Sequence, residues 1–194
     1  MPQRGRRSGA TLTALALLAS LLVVACGGHN GLDEANRLNQ GASEEIREIE
    51  KIVRENKGKE SEVTRALNAD DMGAARRLLD ESVAAIDRGL ERAESAADKF
   101  ERASKLDVDP TIKEYLSLRA QSVAKAIEAF RELRRGIIVF REALGSSDKV
   151  ATERAKGEIQ QSSVKFDGLI SESEKLQRRA DEIARRNPDT IKPG

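Results

Sequence analysis

The chain carries one cysteine and one histidine in 194 residues, and aromatic side chains make up only 3% of it. A single thiol cannot form an intramolecular disulfide, so stability has to come from packing. A single imidazole excludes protein sites that need two, including the paired Glu-x-x-His arrangement of di-iron helical bundles. No glycine-rich phosphate loop, dinucleotide fingerprint or zinc-ligand spacing occurs, so no metal or other cofactor is expected. Charge of one sign is also missing. With 34 basic and 33 acidic residues, the chain lacks the basic excess that marks a nucleic-acid partner.

What is abundant is charge itself, 35% of residues against about 25% in typical globular domains. Together with plentiful Ala, Leu, Glu, Lys and Arg, that composition predicts long amphipathic helices. Apolar residues recur at helical steps of three and four. The first stripe runs through Leu38, Ala42, Ile46, Ile49 and Val53, and its phase recovers at Val63 and Leu67 beyond Gly58. "NKGKES" is therefore either a soft spot in one helix or a short break that keeps register. A second stripe, Met72 to Phe100, comes after the cap candidates Asn68, Asp70 and Asp71, whose short oxygen-bearing side chains suit free helical N–H groups. The third, Ile112 to Leu144, opens with Asp109 as cap and Pro110 at the first helical position, where a missing N–H costs nothing. The fourth runs from Val150 to Ile183 and stops at Asn187 and Pro188.

The expected intervals, about 33–67, 71–106, 110–145 and 148–187, are each on the order of 50 Å long at 1.5 Å per residue. Short connections force antiparallel neighbours. The predicted fold is all-α: an antiparallel, up-down-up-down four-helix bundle over 33–187, with a C-terminal tail over 188–194. Acid-to-base pairs four residues apart, Glu50 with Arg54, Glu55 with Lys59, Glu174 with Arg178, Asp181 with Arg185 and Glu182 with Arg186, read as solvated helix surface.

The N-terminal residues have a different character. Arg4, Arg6 and Arg7 precede an uncharged run rich in Leu, Ala and Val that ends at Ala25, the order of a secretory signal peptide. The run is shorter than the roughly 20 residues a membrane-crossing helix needs. Val23, Val24, Ala25 and Cys26 resemble the lipobox of bacterial lipoprotein precursors. That resemblance implies that Val23, Val24 and Ala25 are read by the signal peptidase, and that 1–25 are removed. It further implies that the Cys26 thiol carries a diacylglycerol and that 26–32 is a lipidated tether. Several acyl chains at about 0.8 kcal/mol per buried CH2 would anchor stably, where one chain binds only marginally. Gly27 lacks the acidic character that retains some lipoproteins in an inner membrane. The expected location is the cell envelope: the outer membrane facing the periplasm in a Gram-negative host, the outer face of the plasma membrane otherwise.

His29 then reads as a polar linker residue, and consumption of the only thiol removes a Cys-His nucleophile. The carboxylates of "NADD" (68–71) and "SESE" (171–174) read as caps and surface, so no catalytic residue is assigned. Gly89, Gly136, Gly157 and Gly168 each cost about 1 kcal/mol in a helix interior, which close helix packing, bending or room for a ligand would explain. "GIIVF", 136–140, is too wide for one bundle-facing stripe. It places Ile138 or Val139 outward or at a flank, and Ile138, Val139 and Phe140 form a candidate partner or ligand patch. In the expected topology, Arg178, Arg179, Arg185 and Arg186, with Lys99, Arg102 and Lys105 nearby, lie at the lipid end. There they contact anionic headgroups or complement helix dipoles. The expected function is a lipid-anchored scaffold or adaptor for an unidentified envelope protein. The competing reading is a ligand-binding or sensory bundle holding a small apolar molecule near Gly136 and Phe140.

Overall fold

The computed structural model describes residues 27–146 and 149–191. Within them the chain forms α1 (Gly27–Glu55), α2 (Lys59–Asn68), α3 (Met72–Ser104), α4 (Pro110–Ala143) and α5 (Lys149–Arg186). The architecture is all-α, with four long helical segments side by side and no strand among the described residues. The first of these segments is α1 continued by α2.

The predicted caps hold two of the junctions. Asp71 accepts a 2.8 Å bond from the Ala74 N–H at the start of α3. Asp109 accepts one of 2.7 Å from Thr111 ahead of Pro110. Gly58 resolves the ambiguity in the first segment. Its φ of 100° ends α1 and starts α2, a conformation glycine adopts without a Cβ penalty. The register survives this break, because Val63 is buried and Leu67 packs beside it. The break does remove the expected Glu55–Lys59 pair, since the two residues now belong to different helices, and Lys59 bonds Glu81 on α3 instead.

Contacts run in chain order. α1 packs on α3, α2 on α3, α3 on α4, and α4 most extensively on α5. The α4–α5 seam is close because its residues are small. Ser122, Ala129, Gly136 and Ala143 lie seven residues apart on α4 and are all buried. Ser122 and Ser173 face each other across the seam. The Ser122 hydroxyl donates to the Ser173 carbonyl at 2.9 Å, and the Ser173 hydroxyl donates to the Ser122 carbonyl at 2.8 Å. Farther along, a Cβ placed on Gly136 would lie 2.8 Å from both the Cβ and the Oγ of Ser162. Gly136 is thus a packing glycine. Gly89, Gly157 and Gly168 have nothing within 4 Å of such a Cβ, so close packing does not account for them.

Two apolar clusters divide the length of the bundle. One joins Leu38, Phe100, Leu116, Tyr115 and Ala180 at the end where α1 begins. The other joins Val63, Leu79, Ile137, Phe140 and Ala155 at the opposite end.

Candidate functional site

The lipobox-like residues Val23, Val24, Ala25 and Cys26 lie outside the described residues, and so does the side chain of His29. Immediately after Cys26 the backbone is already helical. α1 starts at Gly27, ahead of the expected start at 33, so residues 27–32 belong to the helix. Gly27, Gly28 and Gly31 fall in the segment expected to be a tether. Gly31 instead lets α1 run close to the connection between α3 and α4: a Cβ there would lie 2.7 Å from the Asp107 carbonyl oxygen.

Three separate parts of the chain therefore meet at the end where α1 begins: the first turns of α1, the 105–109 connection, and the segment after α5. A small pocket there, with about 10 Å³ of free space, is lined by Ala35, Asn36 and Asn39 of α1, Ile112, Tyr115 and Leu116 of α4, and Thr190 and Ile191 of the tail. That space suits about one water. Ile191, within the expected tail over 188–194, is only 4% exposed. In the same apolar cluster Phe100 is fully buried, and the Arg119 guanidinium lies 5.0 Å from its ring centre. Burial pushes the Tyr115 phenol above its usual value, opposed by Arg119 and reinforced by Asp181.

The basic residues assigned to this end divide in two. Arg178, Arg179, Arg185 and Arg186 are not buried. Arg178 pairs with Glu174 at 3.4 Å and Arg186 with Glu182 at 4.0 Å, while Arg179 and Arg185 form no ion pair among the described residues. The expected Asp181–Arg185 pair is absent from that set; Asp181 accepts from Gln177 instead. Lys99 is committed inward. It donates to Glu45 at 2.6 Å, and Ser95 and Arg92 reach the same carboxylate at 3.1 Å. The Lys99 bond is the main cause holding the Glu45 carboxyl below its ordinary range, with Arg92 and Ser95 contributing against the cost of burial. Arg102 and Lys105 pair with Asp98 and Glu101 along α3.

At the opposite end, "GIIVF" is divided as its width required. Gly136, Ile137 and Phe140 are buried, and Ile138 and Val139 are half-buried at the flank. Val139 packs against the distal cluster and Phe140 belongs to it. The three patch residues thus do not form one exposed surface, because helical periodicity turns Phe140 back into the core. The "SESE" carboxylates are also placed: Glu172 pairs with Lys125 at 3.4 Å, and Glu174 with Arg178.

Among the described residues no group of carboxylates, His or Cys could hold a metal ion, and no helix is long and apolar enough to cross a membrane. No family model, curated protein or solved structure matches the chain.

Proposed function

We propose that the protein is a bacterial lipoprotein, anchored through acylated Cys26, whose helical bundle works as an interaction scaffold or adaptor in the cell envelope. The observation that carries the reading is the Val23-Val24-Ala25-Cys26 motif at the end of a signal-like segment, one residue before α1 begins. With almost no tether, the lipid would hold the bundle by its end. The long helices would then project away from the membrane, presenting charged, solvated faces to a protein partner.

The adaptor reading is favoured over a core ligand site by the packing at Gly136 and Phe140. The first is filled by Ser162 and the second is 9% exposed within an apolar cluster. Arg179 and Arg185 are the two end cations best available for anionic headgroups. Crosslinking of the acylated protein in its own membrane tests the adaptor role. A discrete partner, captured by the wild type and lost from a Cys26→Ser variant that still folds, supports it. Co-purification of a stoichiometric apolar small molecule with no crosslinked protein contradicts it.

A further inference from the structure

We infer that residues 187–191 form a releasable strap that closes the bundle at the end where α1 begins, with Ile191 as its latch. After α5 the chain turns back on itself. The Asn187 carbonyl accepts the Thr190 N–H at 3.1 Å and the Ile191 N–H at 2.9 Å, while the Asn187 side-chain amide donates to the Ile183 carbonyl at 2.8 Å. This built turn carries Ile191 off the α5 axis and seats it among Ala35 of α1 and Ile112, Tyr115 and Leu116 of α4.

That placement matters because α1 and α5 are not among the helix pairs that pack extensively. The strap supplies a link between the α5 side of the bundle and α1 that the helices themselves largely lack. It is also built to come away. Pro188, Asp189 and Thr190 are exposed, Ile191 is the buried member, and the space beside it leaves the seat less than fully packed. A segment held by one buried side chain opens at far lower free energy than the helices around it. Opening would uncover Ala35, Ile112 and Leu116 and leave the first turns of α1 held by α3 and the 105–109 connection. The device stands on the fold alone, whether or not Cys26 is acylated.

Hydrogen exchange read by mass spectrometry on the full chain tests it, comparing wild type with Ile191→Asp and Ile191→Leu. Burial of one isoleucine predicts that Ile191→Asp speeds exchange over 35–42 and 112–119 by about 10- to 100-fold. Amides around Val63, Leu79 and Ile137 should keep their rates, and Ile191→Leu should stay close to wild type. In the wild type, the Ile191 amide should open at a lower free energy than those of 35–42 and of the distal cluster, and equal opening energies would also overturn the strap, which keeps the test valid should Ile191→Asp fail to fold. Unchanged exchange in Ile191→Asp would show that the tail holds nothing. Uniformly faster exchange would show that Ile191 is ordinary core. Either result overturns the strap.

Discussion

Alanine substitution at the helical glycines should split by position, with opposite signs along one bundle. Glycine in a helix interior costs about 1 kcal/mol relative to alanine, so every Gly→Ala change here starts with that gain. At Gly89, Gly157 and Gly168 nothing lies within 4 Å of the new Cβ, and the gain should be largely realised, about 0.5–1 kcal/mol each. At Gly136 the methyl would stand 2.8 Å from Ser162 Cβ and Oγ, and 3.4 Å from Ile159 Cα. Carbon atoms prefer about 3.5–4.0 Å, so α4 and α5 would have to separate along a seam that the Ser122–Ser173 bonds hold in register. Overpacking costs about 1–3 kcal/mol, which offsets or exceeds the propensity gain and leaves Gly136→Ala about 0–2 kcal/mol less stable. In a domain of this size 1 kcal/mol moves Tm by about 2–4 °C. Calorimetry should therefore rank Gly157→Ala and Gly168→Ala above wild type and Gly136→Ala below it. Adding Ser162→Gly to Gly136→Ala should recover stability with a coupling of at least about 1 kcal/mol. Gly136→Ala as stable as Gly157→Ala, with no coupling to position 162, would refute the close seam.

Two further outcomes are expected from polar contacts. Ser122→Ala and Ser173→Ala should each destabilise by about 1 kcal/mol, and a double-mutant cycle in urea should show them to be non-additive, because the two hydroxyls also lie 3.1 Å from each other. Glu45, whose carboxyl is held below its ordinary 4.5 chiefly by Lys99, contributes stability that is present above about pH 4.5 and lost as pH falls through its lower folded value. Glu45→Gln should accordingly lower stability at pH 7 by an amount on the order of 1 kcal/mol, with the difference shrinking below about pH 4 in a pH series of melts. A constant difference across that range would mean the Lys99–Arg92–Ser95 cluster does not act through the charge.

Where the sequence carries a periodic signal, the helices track it closely. Met72–Ser104, Pro110–Ala143 and Lys149–Arg186 each lie within about two residues of the expected intervals. Their starts can be located because Asp71, Asp109 and Pro110 act through local chemistry, within one turn of their own positions. Features that depend on distant parts of the chain are less visible. Gly31, in the first turns of α1, lies beside Asp107, and no spacing within 27–32 records that neighbour. Ile191 is one apolar residue in a polar tail and has no period, so its seat among Ala35, Ile112 and Leu116 is not readable in advance. The Ser122–Ala129–Gly136–Ala143 stripe escapes a hydrophobic reading, which weights large side chains, whereas the α4–α5 seam is made close by small ones. A search for small residues at seven-residue spacing would find it. For the candidate site, Cys26 and its neighbours are legible as a motif. The convergence of three chain segments at the end where α1 begins requires the fold.

A lipid on Cys26 that holds the bundle at its first helix would be seen in the intact mass of the membrane-extracted protein, with sequencing of its N-terminal peptide. The expected species is a chain that begins at Cys26 and carries diacylglycerol, with or without a further amide-linked acyl chain. A chain retaining residues 1–25, or one with a free Cys26 thiol, would contradict it.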